Sequence, residues 1–392
     1  MTKYVFFFLM AFFNVSVANA KDFWSVDWET VTIKQIQTLI KSGADVNAKN
    51  EIGVTPLMVA AGKNTNPATI DMLIKAGADV NARNKEGWTS LMVAAGKNKN
   101  PAVIDVLIKA GADVNMYSEN GRTPLKIAIL NNKNPLVVKA LIKGNANVNA
   151  RLKGDEETPL LYALMMDNAE PTVIEMLVKA GADVNFQRER DGATPLLMAL
   201  QKNASLSIVE ALIKGGANVN ENTVDGSTPL MYAAGMTTDP AVIKALIKAG
   251  ANIKARNRNG GIPMSIAAGN NTNPDVVKAL IKGGADVNAR NGVGTTPLMN
   301  AAMSNANPAI ADVLIKAGAN INTKEETRGF TALMFAALMN KNPAVVETII
   351  KGGANVNIRS SYGETALDFA KNNPNIYGSP AYWKLYDLIR KR

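Results

Sequence analysis

Apolar residues occur in short clusters that return at a fixed distance along most of the chain. One cluster, Leu57 to Ala61, follows Thr55-Pro56 and is closed by the polar run Lys63-Asn64-Thr65-Asn66. Asn66-Pro67 then opens a second segment, in which Ile70, Leu73 and Ile74 fall at i, i+3 and i+4, the spacing of one helix face. The same sequence of events restarts at Thr55, Thr89, Thr123, Thr158, Thr194, Thr228, Ile262, Thr296, Thr331 and Thr365, at intervals of 34 to 36 residues. A period of this size predicts a solenoid, whose units bury their apolar faces on one another because no single unit can bury its own.

Each unit carries its own start and stop signals. Thr or Asn before Pro is an N-cap followed by a residue whose missing N–H costs nothing in the first helical turn. A Lys ends the second helix, where a cation suits the helix dipole. The chain must then turn through a left-handed residue, a role for Gly and sometimes Asn. The positions are Gly43, Gly77, Gly111, Asn145, Gly181, Gly216, Gly250, Gly284, Gly318 and Gly353, and the one departure, Asn145, is the tolerated substitute. Segments such as Ala78 to Arg83, followed by the Gly-containing turn Lys85 to Trp88, predict extended β-turn fingers between units.

The Thr-Pro-Leu start, the Ala pair and the Gly-Ala-Asp-Val-Asn close, as in Thr55 to Ala61 and Gly77 to Asn81, resemble the ankyrin repeat over about residues 24 to 392. The resemblance implies an all-α ankyrin-repeat solenoid of stacked helix–turn–helix units with β-turn fingers. Two features depart from that family. Met58, Met92, Met231, Met299 and Met334 stand where the family usually has His, so apolar contact is expected to replace its hydrogen-bond network. The turn between the helices is also one residue longer and reads Asn-x-Asn-Pro in most copies.

The expected organisation is a signal peptide over 1–20, an N-terminal capping half-repeat over 21–54, nine repeats over 55–364 and a C-terminal capping repeat over 365–392, sharing one interior. Lys3, the apolar run Tyr4 to Phe13 and Ala18-Asn19-Ala20 fit a cleaved leader. The run is too short to span a bilayer, which needs roughly 20 residues, so no stable membrane anchor is expected after cleavage. In a bacterial source, the origin favoured here, the leader implies the periplasm or the medium. In a eukaryotic source it implies secretion, with Asn203 and Asn270 as glycan acceptors. In the first cap, a helix over Thr30 to Lys41 would turn Ile33, Ile36, Leu39 and Ile40 inward, with Phe23, Trp24 and Trp28 covering the end of the core. In the last, Tyr382, Trp383, Tyr386 and Ile389 would close the final unit.

Composition narrows the chemistry. The chain has no Cys and no His, which removes disulfides, thiolate nucleophiles, imidazole bases and the usual zinc ligands together. No phosphate-binding loop is present, Gly260-Gly261 reads as a turn, and the adjacent acids Glu156 and Glu157 read as solvated. The expectation is a non-enzyme without metal or cofactor. Its 43 basic and 33 acidic residues give a net charge of +10, but no basic run exceeds three residues, so no nucleic-acid partner is expected.

By the resemblance, the partner is another protein, bound by a monomer through its concave groove and finger tips. Residues after the Ala pair and along the fingers would face that groove: Lys63, Lys97, Met165, Met166, Met236, Met303 and Met339 in the first class, and Ile52, Trp88, Arg122, Arg190, Phe330 and Tyr362 in the second. The partner-binding set is Ile52, Trp88, Arg122, Met165, Met166, Arg190, Met236, Met303, Phe330, Met339 and Tyr362, because exposed aromatic and Arg side chains anchor interfaces and exposed Met can re-pack. The alternative is an envelope or structural protein that binds an anionic polymer through the Lys row Lys41 to Lys351 and the finger Arg series. Against it stands the simpler role of those Lys at helix ends. The fingers 151–157, 186–193 and 323–330 are lengthened, as binding loops or as neutral drift. The Asn-rich turns suit helix capping better than sugar binding.

Overall fold

A computed structural model describes residues 22–151, 157–166 and 169–390. The expected leader and most of the lengthened finger 151–157 lie outside the described residues. These residues contain α-helices, turns and no β-strand. They fall into two compact units, one ending at Asp183 and the other beginning at Val184.

In the first unit, α1 (Ile33–Lys41) is followed by the pairs α2 (Pro56–Lys63) and α3 (Pro67–Lys75), α4 (Ser90–Lys97) and α5 (Pro101–Lys109), α6 (Pro124–Asn131) and α7 (Pro135–Lys143), and α8 (Pro159–Met165) and α9 (Pro171–Lys179). The first helices stack as α2–α4–α6–α8 and the second as α1–α3–α5–α7–α9, and each pair packs against itself across the two layers. The second unit repeats the plan. Its pairs are α10 (Pro195–Gln201) and α11 (Leu206–Lys214), α12 (Pro229–Met236) and α13 (Pro240–Lys248), and α14 (Pro263–Asn270) and α15 (Pro274–Lys282). Then come α16 (Pro297–Ser304) and α17 (Pro308–Lys316), α18 (Ala332–Met339) and α19 (Pro343–Lys351), and α20 (Ala366–Ala370) and α21 (Pro380–Arg390). Helices of this length are not stable alone in water. Burial between layers stabilises them: Leu57, Leu91, Leu125, Leu230 and Leu298 are inaccessible or nearly so, each contributing roughly 1.5–3 kcal/mol.

Local capping follows the sequence pattern. Thr55 Oγ1 accepts from the Met58 N–H at 3.3 Å, and Thr89 and Thr123 do the same in their units. Where Ile262 replaces Thr, Ser265 Oγ accepts from the Ile262 N–H instead, at 3.2 Å. All ten helix-stop positions are left-handed, Asn145 included at φ 66°.

The Met residues that stand in for His are buried, and two of them retain a polar contact. Met299 Sδ accepts from the Thr296 N–H at 3.4 Å and Met334 Sδ from the Thr331 N–H at 3.5 Å.

The Asn residues do more than cap. In the first unit, Asn98 Nδ2 donates to Ala61 O (2.8 Å) and Asn64 O (2.9 Å) of the preceding layer, while its Oδ1 accepts from the Asn100 N–H (2.9 Å). Asn132 repeats this on Ala95 and Asn98. In the second unit Asn271, Asn305, Asn340 and Asn373 form the same ladder. These amides are consumed inside the fold, as structural capping of the Asn turns requires. A second ladder crosses the layers beyond the Gly stops. Asn81 Nδ2 donates to Gly111 O at 2.9 Å and its Oδ1 accepts from the Asp113 N–H, and Asn220 and Asn288 act likewise on Gly250 and Gly318. Lys254 occupies this position between them and has no amide to offer.

The ends differ in detail from expectation. At the first cap, the Asp27 turn accepts the Val31 N–H at 2.9 Å, so α1 begins only at Ile33, behind a Thr32–Gln35 capping box. Phe23 and Trp28 are buried and stacked, with centroids 6.2 Å apart, but Trp24 is half-exposed. On α21, Ala381, Tyr382 and Leu385 face inward. Trp383 is 54% exposed, not a closing residue, because one step along a helix from Tyr382 turns it about 100° away from that face.

Candidate partner-binding surface

Among the described residues, the fingers are Gly-containing turns braced by their own Asn, Ser or acidic side chains. Asn50 Oδ1, for example, accepts from the Val54 N–H at 2.9 Å. Neighbouring tips then join backbone to backbone: the Lys85 N–H donates to Ile52 O (3.1 Å) and the Glu119 N–H to Glu86 O (2.9 Å). In the second unit the Arg258 N–H donates to Asp225 O (3.0 Å) and the Gly292 N–H to Gly260 O (2.8 Å). The last contact needs glycine at position 260, because a Cβ there would lie 2.2 Å from the Gly292 Cα. Finger arginines reinforce these joints. Arg83 reaches Tyr117 O and Glu119, and Arg256 reaches Arg290 O at 2.7 Å.

This scaffold sorts the expected contact residues. In the first unit Ile52, Met165 and Met166 are exposed, whereas Trp88 and Arg122 are half-buried. In the second unit Met236 is 53% exposed, Met339 50% and Tyr362 67%, Arg190 is exposed beside Asp191, and Met303 is half-buried. Phe330 is the correction. It is only 4% exposed, so it is part of the interior and not a groove contact. It immediately precedes the N-cap Thr331 and packs edge-on against Phe335 of α18, with centroids 5.4 Å apart. That is a hydrophobic staple, the residue before the cap meeting the fourth helical residue. Phe369 (4.7 Å) and Tyr362 (6.5 Å) complete the cluster, and the Arg328 guanidinium lies over the Phe330 ring at 4.9 Å. Beneath it, burial pushes the Glu325 carboxyl up, but N–H groups of Thr327, Arg328 and Phe330 and the Arg328 charge bring it below the usual carboxylate range. The lengthened finger 323–330 is therefore folded around its own carboxylate.

The two first-helix layers differ in charge. Helices α10, α12, α14, α16 and α18 contain no charged residue, yet α12 and α18 end in the exposed Met236 and Met339. In the other unit α2 and α4 end in Lys63 and Lys97, and α6 carries Lys126 at the position Met takes elsewhere. The pattern alone did not mark Lys126 as interior. It is 1% exposed, its Nζ 4.9 Å from the centre of the Tyr162 ring. Burial, with Lys63 adding to it, lowers the Lys97 ammonium to about 8.

Lys97 gives a pH prediction. Its folded value lies below the 10.5 of an unperturbed lysine, so between pH 8 and 10.5 the unfolded chain binds more protons and stability rises with pH. The gain attributable to Lys97 is on the order of 1 kcal/mol, since contact with water screens the ammonium. Chemical unfolding at pH 7 and pH 10 should show this increment in the parent chain and not in Lys97→Met.

Four lysines of the row at the second-helix ends are paired with an acid one turn back. Lys75 pairs with Asp71, Lys179 with Glu175, Lys316 with Asp312 and Lys351 with Glu347. Among the described residues no group of three or more Asp or Glu is placed to hold a metal ion, and no helix is long and apolar enough to cross a membrane.

Paired helices in two layers, joined by finger turns, define a repeat fold. The family model for ankyrin repeats in three copies matches in overlapping stretches at 31–118, 91–188, 167–257, 236–325, 264–360 and 298–377, and the chain belongs to the ankyrin-repeat family. Ankyrin repeats generally mediate protein–protein interaction and are typically non-enzymatic. A comparison with curated proteins finds no match.

Proposed function

We propose that this chain is a non-enzymatic, exported scaffold that holds another protein against its first-helix layers and finger tips. The observation that carries the reading is the uncharged layer α10–α12–α14–α16–α18, which shows Met236, Met339 and the adjoining Tyr362 to solvent. Surface helices of a soluble protein ordinarily carry charge on their outer side. A row with none, studded with adaptable thioethers and an aromatic tip, suits an apolar segment of a partner. The Lys row is a weaker basis for polymer binding, because several of its members already have an acid one turn away.

The test is cross-linking in the native compartment with the parent chain and with a Met236→Asp, Met339→Asp, Tyr362→Asp variant. Recovery of the partner is expected to fall at least tenfold while the melting profile is unchanged, since exposed substitutions shift stability little. Equal recovery from both proteins would reject this face.

A further inference from the structure

We infer that Lys244, Lys248, Lys278 and Lys282 form a docking patch for an anionic membrane surface. The patch is independent of the scaffold reading above, because it belongs to the second-helix layer and not to the first.

In the second unit that layer ordinarily places an acid one turn before its closing lysine. Glu210 precedes Lys214 in α11, Asp312 precedes Lys316 in α17 and Glu347 precedes Lys351 in α19. Helices α13 and α15, which pack side by side, carry Lys244 and Lys278 at that position instead. Residues 240–290 hold eight Lys or Arg and two Asp, so +6 of the chain's +10 falls in this one stretch.

The geometry spreads the four cations over two neighbouring helices. Lysines four residues apart on a helix share a face and lie about 6 Å apart along the axis, and stacked helices are roughly 8–10 Å apart. Gly283 lets the helix ends approach, since a Cβ there would collide with Ile247 of α13. All four lysines are exposed. Lys278 pairs with Asp275 of its own first turn at 2.8 Å, and among the described residues no carboxylate is within ion-pair reach of the other three. Of the flanking helices, α11 brings Glu210 and Lys214, and α17 brings Asp312, already held by Lys316.

The fold also gives up a bond here. Asn220 donates across the layers to Gly250 O at 3.0 Å, and Asn288 to Gly318 O at 3.1 Å. Position 254, the rung between them that would meet Gly284, is an exposed Lys. A fifth cation thus stands in place of a structural amide, beside the turn that ends α15.

The chemistry of the patch selects its partner. Neither helix contains Arg, and residues 240–290 contain no aromatic residue, so bidentate phosphate recognition and base stacking are both missing. No large apolar side chain of α13 or α15 is exposed, which leaves a protein partner without an anchor. What the helices offer is a set of hydrated point charges separated by the small Ala241 and Ala245, and a plane of dense negative charge needs nothing more.

The test is flotation of the full chain with vesicles at low salt. Vesicles of phosphatidylcholine with phosphatidylglycerol should carry the protein upward, and phosphatidylcholine alone should not. Salt at about 0.5 M should release it, because the screening length then falls to a few ångström. Lys244→Glu with Lys278→Glu is expected to weaken vesicle binding by about fiftyfold or more, since each cation near such a surface contributes several-fold. The melting profile should be retained, as Glu210 and Glu347 occupy the same position in nearby repeats. Lys99→Glu with Lys133→Glu makes the same change in net charge in the turns of the first unit, and should bind within about threefold of the parent. Lys254→Asn should raise the unfolding midpoint by restoring the rung and weaken vesicle binding about fivefold. Parent-like affinity in the Lys244/Lys278 variant or in Lys254→Asn, equal weakening by the two double variants, or binding to neutral vesicles would overturn the patch. Displacement by polyglutamate or a single-stranded oligonucleotide at lower charge concentration than by unlabelled anionic vesicles would overturn the lipid assignment.

Discussion

Asn98→Ala is expected to destabilise its unit by about 3 kcal/mol, although it removes only a short polar side chain. Asn98 is 1% exposed, and its amide joins three backbone groups: the carbonyls of Ala61 and Asn64 in the preceding layer and the N–H of Asn100 in its own turn. A hydrogen bond contributes about 1 kcal/mol net, but a buried partner left without one costs more than the bond itself yields. Asn98→Asp is expected to be at least as damaging, since a carboxylate cannot donate and would face two carbonyl oxygens. Denaturant unfolding gives the total loss. Hydrogen exchange at the Asn100 amide should rise far more than exchange in α1, because a repeat stack transmits stability mainly between nearest neighbours. An unchanged midpoint for Asn98→Ala would mean that water replaces all three contacts.

Phe330→Ala is expected to cost about 3–4 kcal/mol, and Tyr362→Ala less than about 1 kcal/mol, although the rings touch. Phe330 fills the space between Phe335 and Phe369 and supports the Arg328 guanidinium. Its removal leaves a cavity bounded by rigid rings, which collapse poorly. Tyr362 sits outside the same cluster with most of its surface in water. Paired unfolding curves measure both effects. If the two substitutions cost the same, Phe330 does not staple the finger to α18.

These two cases mark what the sequence made legible. Helix starts and stops were readable because their chemistry is local: Thr55 bonds three residues ahead, and a left-handed Gly77 or Asn145 follows directly from the end of its helix. The amide ladders were not readable, because Asn98 acts on residues 34 and 37 positions away and nothing within its own turn reveals that. Capping alone accounted for the Asn pattern and hid its second role. Phe330 was misplaced because a finger's root and its tip are a few residues apart. The signal that separates them is the neighbouring Thr331: a large apolar residue just before an N-cap belongs to the staple, whereas Tyr362, three before Thr365, belongs to the tip. Lys126 sat in plain view at a Met position, but a cation there reads as solvated until Tyr162 is found over it.

The amide ladder also bears on how such a chain can change length. Asn305 bonds to Ala268 and Asn271 just as Asn271 bonds to Ala234 and Thr237. Excising the 34 residues from Ile262 to Thr295 would therefore bring Asn305 to the carbonyls that Asn271 vacates, with every rung still matched. Duplicating the same stretch would add one rung and disturb none. Gene copying in whole periods is structurally silent here, and a residue or two gained in a finger is absorbed there, since Asn340 still reaches Ala302 and Asn305 across the lengthened finger 323–330, whereas a cut inside a helix shifts every rung beyond it.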